Sequence, residues 1–240
     1  GFKALLIAAC VPFGLKNAPT TFQRAMDNVL RGIQNNFCLV YLDDIIIFSS
    51  SLSEHKVHLS QVFERLRRFN LKVQLDKSEF LCKNVEYLGH LITPEGVKPN
   101  PKKIEVIKNY PVLNTTTKIK GFLGLLSYYR KFIPDFAKLT KPLTLRLKKD
   151  AKINTKDPDF SECFELCKTL LCNDPILQYP DFSKPFILTT DASNFALGAV
   201  LSQGKVGSDL PIAYASRTLN TSETKIIPLP KKSYLLLFGL

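Results

Sequence analysis

Residues 40–50 read VYLDDIIIFSS: two adjacent aspartates, Asp43 and Asp44, stand between two apolar runs. The runs, FCLVY before and IIIFS after, have the length and composition of buried strands. Carboxylates are kept out of such surroundings unless a cation or a catalytic role holds them there. The pattern predicts strand, tight turn, strand over residues 37–49, with the carboxylates at the turn. There they reach solvent while their neighbours stay buried. Any fold that accepts this hairpin must tolerate two like charges side by side, and a divalent cation removes that cost. Asp is also a favoured turn residue, so a plain hairpin accounts for the pair too. The aromatic-x-Asp-Asp setting between apolar strands favours the cation.

Around this hairpin the chain reads as alternating helices and short strands. Phe22, Met26, Val29, Leu30 and Ile33 recur at helical spacing and predict a helix over 17–33. Ser51 with Glu54 three residues on has the capping-box form and opens a second helix, its stripe Leu59, Val62, Phe63 and Leu66. Residues 78–97 alternate as short strands, with Thr93-Pro94-Glu95-Gly96 as a turn. From Lys98 to Lys149 the chain turns helical and basic. A linker and a helix over 161–171 follow, then FILTTDAS, ALGAVLSQ and LPIAYASRTL as three strands.

Lys and Arg outnumber Asp and Glu by 33 to 21, for a net charge of +12. Such an excess suits a polyanionic partner, most simply nucleic acid, although a merely basic protein has it as well. No run of 18 apolar residues occurs, so no membrane-spanning helix is indicated. GFKALLIAAC has only a superficial likeness to a signal peptide and reads as an internal start, which places the protein inside the cell, in cytoplasm or nucleus. Cys10, Cys38, Cys82, Cys163, Cys167 and Cys172 form no CxxC pair, and no His follows at zinc-site spacing; they read as buried thiols.

VPFGLKNAPTTFQRAMDNVL followed by CLVYLDDIIIFS resembles the reverse transcriptase of gypsy-type LTR retrotransposons. The resemblance runs on through EHKVHLSQVFERLRRFNLKV, FLCKNVEYLGHLITPEGVKPNPKKIEVIKNYP and IKGFLGLLSYYRKFIPDFAKLTKPLT. It extends into DPILQYPDFSKPFILTTDASNFALGAVLSQ and PIAYASRTLN, and so covers about Val11 to Thr224. It implies an α+β fold: a partial reverse transcriptase palm with helical thumb, followed by an incomplete ribonuclease H-like mixed α/β domain. The modules implied are palm with primer-grip hairpin over 1–97, thumb over 98–150, connection over 151–180 and ribonuclease H-like domain over 181–240.

The resemblance also assigns residues. Tyr41, Leu42, Asp43 and Asp44 match the polymerase YxDD box, with Asp43 the main ligand of Mg²⁺ and Asp44 in support. Phe13, Gly14 and Tyr41 would lie against the incoming deoxynucleoside triphosphate. Gln23 would face the template, and Leu88, Gly89 and His90 would grip the primer end of an RNA–DNA hybrid. Asp191 would be the first metal carboxylate of the ribonuclease H. Phe122, Tyr128, Tyr129 and Phe132 in the thumb read as core more than as base-stacking platforms. Association with an intact pol subunit is also admitted.

Two departures from the family pattern qualify the expected activity. The family holds its metals with a further aspartate on a strand upstream of PFGL, and GFKALLIAAC does not match it. After SRTLN the family reads approximately NYSTTEKELLAIVWG, a helix with the second ribonuclease H carboxylate, whereas this chain reads KIIPLPKKSYLLLFG. Lys232 then stands at the Glu position, and Pro228 and Pro230 oppose a helix start. Codons can be chosen for Lys225–Gly239 that, read two bases on, encode N-Y-S-T-T-E-K-E-L-L-A-I-V-W. The tail is thus compatible with an out-of-frame reading; an alternative exon or divergence is the rival. No Asp43-dependent primer extension is expected on this basis. A non-catalytic nucleic-acid-binding remnant and a degenerate gene copy are the alternatives, and the apolar tail is expected to be exposed or to pack non-natively.

Overall fold

A computed structural model describes residues 1–9, 18–220, 222–223 and 233–237; for residues 8, 9, 18 and 233–237 only the backbone is described. The chain divides into two compact units, Gly1–Pro94 and Glu95–Leu240.

In the first unit β1 (Phe2–Ala9), α1 (Ala18–Val29), β2 (Cys38–Tyr41), β3 (Asp44–Ser49) and α2 (Leu52–Arg68) follow in order. Short strands β4 (Lys72–Val73), β5 (Glu79–Cys82), β6 (Val85–Tyr87) and β7 (His90–Ile92) complete it. The sheet runs β2-β3-β1-β4, with β5 also paired to β1. β3 is central, antiparallel to both neighbours, with Val40 opposite Ile45 on one side and Leu6 opposite Ile45 on the other. Ile45, Ile46 and Ile47 are all buried, as an apolar run without alternation requires. Met26 and Val29 of α1, Leu30 just after it, and Val62 and Leu66 of α2 close the core over this sheet.

The α2 capping box forms: Ser51 Oγ accepts from the Glu54 N–H at 3.2 Å, and the Glu54 carboxylate accepts from the Ser50 N–H at 2.8 Å. α1 is shorter than its periodicity predicts. Its last turn opens at Leu30–Gly32, where Gly32 takes φ +86°, and Ile33 reaches the core from outside the helix.

At the far end of β3, Ser49 Oγ lies 2.9 Å from His55 Nδ1 and 2.8 Å from His58 Nδ1, and Phe37 stacks on the His58 ring at 3.9 Å. One hydroxyl hydrogen serves one imidazole, so the other must donate. His55 is fully buried, its Nε2 has no hydrogen-bond partner, and burial followed by the His58 charge lowers its proton affinity. An unfolded chain binds a proton at His55 near pH ~6.5, and the folded chain does so only at lower pH. Stability therefore falls as pH drops below about 6.5. The urea midpoint is expected to decrease between pH 7 and pH 5, with a shallower slope in His55→Asn.

The second unit begins with β8 (Val97–Pro99), whose Val97 exchanges backbone hydrogen bonds with Leu177. Helices α3 (Pro101–Lys108), α4 (Thr116–Tyr128), α5 (Phe136–Leu139), α6 (Lys141–Leu145) and α7 (Pro158–Cys172) follow. Asn100 caps α3 from its side-chain oxygen, with Pro101 at the first helical position, and Thr115 Oγ1 caps α4. Ile107, Phe122, Leu126, Tyr129, Phe164 and Leu171 belong to one buried cluster, so the expected thumb and connection helices share a core. Phe122, Tyr129 and Phe132 are core residues; Tyr128, grouped with them in the sequence, is 54% exposed because α4 turns it outward. Cys163 and Cys167 are buried on α7, but Cys172 is exposed at the end of that helix, contrary to the reading of all the cysteines as buried. Cys10 lies outside the described residues.

Strands β9 (Phe186–Ala192), β10 (Ala196–Gln203) and β11 (Leu210–Thr218) are the three predicted strands, paired as an antiparallel meander. β12 (Ser233–Leu237) pairs antiparallel with the other edge of β9, Tyr234 opposite Thr189 and Leu237 opposite Phe186. The tail therefore supplies a strand where the family pattern implied a helix; β-propensity in SYLLL and an open sheet edge give the physical reason. Pro228, Pro230 and Lys232 lie outside the described residues.

Candidate functional site

β2 and β3 join through a two-residue loop, Leu42 and Asp43, between the paired residues Tyr41 and Asp44. Leu42 takes φ +51°. Tight hairpin loops demand such a left-handed residue, and Gly or Asn is the usual occupant. Leucine there is held by its surroundings at a cost of order 1–3 kcal/mol. Tyr41 is 53% exposed beside it.

Asp43 Oδ1 is buried and has no hydrogen-bond partner. Burial and then the Asp43 charge raise the Asp44 carboxyl above the usual carboxylate range. An orphaned carboxylate oxygen beside a second carboxylate is costly in the free protein and fits a divalent cation. Mg²⁺ commonly takes only one or two carboxylates, with substrate phosphates and water completing its shell. β1, the strand alongside β3, places Ile7 opposite Asp44 and carries no acidic residue. Among the described residues no three His, Cys, Asp or Glu side chains group as metal ligands. The turn thus offers two ligands and no more.

Gln23 is half-buried on α1 and turns its amide to this loop, hydrogen-bonding the backbone at Leu42 and Val40. The sequence pointed to the template side; the signal for the loop was its place between the core residues Phe22 and Met26. Phe13 and Gly14 lie outside the described residues.

Leu88 and Gly89 form the tip of the β6–β7 hairpin with φ +46° and +67°. The His90 Nδ1–H donates to the Leu88 carbonyl at 2.6 Å and braces that tip. Gly89→Ala forces a Cβ into the left-handed region and is expected to cost about 1–2 kcal/mol, read as a lower denaturation midpoint. Tyr87, at the base of this hairpin, has its hydroxyl pushed up to about 12 by burial and then by the charges of Asp44 and Cys38. Tyr87 thus lies within electrostatic reach of Asp44, which sequence reading did not register.

Asp191 sits near the end of β9, opposite Gly198, and opens on a cleft of about 640 Å³. Arg130, Lys131 and Arg217 line that cleft with it, and Tyr214 and Leu197 supply apolar walls. Arg130 donates to the Ser216 carbonyl, and Arg217 is held by both carboxylate oxygens of Glu223 at 2.7 Å. Asp135 lines a smaller pocket with Asp191, so two carboxylates stand beside these cations. Asp181 and Asp209 serve locally: Asp181 accepts from Ser183 and pairs with Lys184, and Asp209 accepts from the Gly207 N–H.

A sheet ending in an aspartate turn, followed by a helical region and an antiparallel meander, defines a class. Residues 3–92 match the family described as reverse transcriptase (RNA-dependent DNA polymerase). Residues 157–234 match the RNase H-like domain found in reverse transcriptase. Two segments of the chain thus match a reverse transcriptase family and the RNase H-like family found with it. More specifically, it is similar to the Pol polyproteins of gypsy-type transposons. It is 54% identical over 222 residues to the retrovirus-related Pol polyprotein from transposon 297 of Drosophila melanogaster, covering 92% of this chain and 21% of that protein. The Pol polyprotein from transposon opus of the same fly is 44% identical over 240 residues, covering 96% of this chain and 24% of that protein. The chain therefore spans about a fifth to a quarter of these relatives.

Both family matches run past the extent of the sequence resemblance, Val11 to Thr224, taking in residues 3–10 and 225–234. The foamy viral protease-reverse transcriptase solved with an RNA/DNA hybrid shares the fold, at TM-score 0.80 and 24% identity over 95% of this chain and 34% of that one. The same foamy viral protein solved with dsDNA gives TM-score 0.79 at 24% identity, over 95% of this chain and 53% of that one. Among the described residues no helix is long and apolar enough to cross a membrane.

Proposed function

We propose that this chain contributes the aspartate turn, primer hairpin and basic helices of an RNA-directed DNA polymerase acting on an RNA–DNA hybrid with deoxynucleoside triphosphates. The observation that carries the reading is the β2–β3 turn, with Asp43 Oδ1 buried and unpartnered next to an Asp44 of raised proton affinity. Asp43 and Asp44 would hold Mg²⁺, which supplies Lewis-acid stabilisation of the attacking 3′-hydroxyl and departing pyrophosphate when bound. Tyr41, exposed beside them, offers a ring against the incoming nucleotide, with Phe13 and Gly14 as its partners by resemblance. Leu88, Gly89 and His90 present a rigid hairpin tip to the primer. Residues 101–149 carry twelve Lys and Arg against two Asp and Glu, a distribution that follows phosphates.

A second reading, hybrid binding without catalysis, is favoured by the absence of a third ligand among the described residues and by the cationic Asp191 cleft. An intact pol subunit would then be the partner that completes the site. Primer extension on an RNA template in Mg²⁺, beside hybrid binding over a salt series, separates the readings. Template-dependent extension supports the polymerase. Binding that weakens steeply with salt but yields no extension, alone or with an intact subunit, supports the second reading. Loss of hybrid binding even at low salt removes both.

A further inference from the structure

The aspartate turn is held from outside by one side chain. The Gln23 Oε1 accepts from the Leu42 N–H at 2.7 Å, and the Gln23 Nε2 donates to the Val40 carbonyl at 3.3 Å. The same Nε2 donates to Asp27 Oδ1 at 3.0 Å, one helical turn on, and Gln34 Nε2 donates to that oxygen at 3.3 Å. The primary amide thus uses one oxygen lone pair and both donor hydrogens, two contacts falling on the backbone either side of Tyr41. Amide orientation is fixed by this pattern, because a flipped amide would set its NH₂ against the Leu42 N–H and its oxygen against a carbonyl and a carboxylate.

Leu42 is the residue in the left-handed conformation, at φ +51°. Within the β2–β3 register its N–H points away from the ladder, since Tyr41 pairs with Asp44 across the loop. Without an outside acceptor that N–H and that φ would both be unfavourable, and leucine would relax toward φ < 0. Such relaxation would carry Asp43, the next residue, with it. Gln23 is on a helix whose Met26 and Val29 are anchored in the core, so the acceptor is delivered from a rigid element.

We propose that Gln23 is a positioning residue for the metal-binding turn: its amide holds Leu42 left-handed and thereby presents Asp43 and Asp44 together. This rests on the reading of the two aspartates as a cation site. Gln23 acts through the Leu42 and Val40 backbone; both amide hydrogens are taken, which leaves one oxygen lone pair for a template donor.

The test measures two independent quantities on the whole chain. Amide hydrogen exchange by NMR reports the Leu42 N–H, and Mn²⁺ titration followed by EPR reports the cation site. Gln23→Met keeps length and apolar stem but offers no hydrogen bond. It should speed Leu42 exchange at least tenfold, leave Ile46 exchange in β3 unchanged, and weaken Mn²⁺ binding about three- to tenfold. Gln23→Glu keeps an acceptor and should retain Leu42 protection, separating the hydrogen bond from packing; it also serves if Gln23→Met does not fold. Unchanged Leu42 exchange in Gln23→Met overturns the proposal. Faster exchange with unaltered Mn²⁺ affinity overturns the positioning role while leaving the contact. Wild-type protein that binds no Mn²⁺ in an Asp43-dependent way overturns the metal reading itself, and Gln23's role with it.

Discussion

Phe122→Ala is expected to cost about 3–5 kcal/mol and to leave the second unit marginal or unfolded. Phe122 is completely buried on α4, edge-to-face with Phe164 of α7 at 4.8 Å and 5.1 Å from the Tyr110 ring. Alanine removes the transfer energy of the ring and leaves a cavity between helices whose backbones are fixed by other contacts. Beside it, a Cβ on Gly121 would stand 2.5 Å from the Tyr110 hydroxyl, so Tyr110 is packed too closely against α4 to fill the space from outside. Domains of this size hold about 5–15 kcal/mol in all, so the loss is a large share. Tyr128→Ala, six residues on but 54% exposed, should change the unfolding free energy by no more than about 0.5 kcal/mol. Urea denaturation followed by circular dichroism of the two variants checks both numbers, and a near-neutral Phe122→Ala would contradict the assignment of this ring to the core.

How far the sequence showed this depends on whether the signal is local. The β2–β3 hairpin, the Ser51 cap and the β9–β11 meander follow from patterns within a few residues, and they appear where the patterns put them. The run Ile45–Ile47 announced a buried strand, and it is one. What escaped notice was made by chain segments meeting from a distance. Gln23 and Leu42 are nineteen residues apart, and nothing in either neighbourhood says that a helix amide will satisfy a loop N–H. Tyr87 joins Asp44 electrostatically only because β6 and β3 belong to the same unit. Asp191 is a further case: TTDAS pointed to a metal site by resemblance, while its surroundings, Arg130, Lys131 and Arg217, come from elsewhere in the chain. The tail, expected to be exposed or to pack non-natively, belongs here too. Helix or strand in SYLLL is decided by the free edge of β9, a tertiary fact.

Asp43→Asn is expected to reverse sign with the cation. Without divalent ions the variant should be the more stable protein, by about 0.5–1 kcal/mol, because it removes one of two adjacent carboxylate charges. The wild-type Asp44 carboxyl, raised by burial and by Asp43, should then move back toward its ordinary range. This carries a pH signature. A raised carboxyl binds more protons folded than unfolded, so wild-type stability gains on the variant as pH falls through the raised Asp44 titration. Added Mg²⁺ works the other way. A ligand at a hundred times its Kd stabilises the protein that binds it by about 2.7 kcal/mol. A variant with tenfold or greater loss of affinity gains correspondingly less, so at high Mg²⁺ the wild type overtakes it. Primer extension, where it is observed, should fall at least 100-fold, since the cation is worth several kcal/mol of charge stabilisation. Thermal melts of both proteins in EDTA and across a Mg²⁺ series test the crossing directly. Parallel curves would mean that Asp43 and Asp44 are turn residues only, and that the orphaned Asp43 oxygen has no cation to meet.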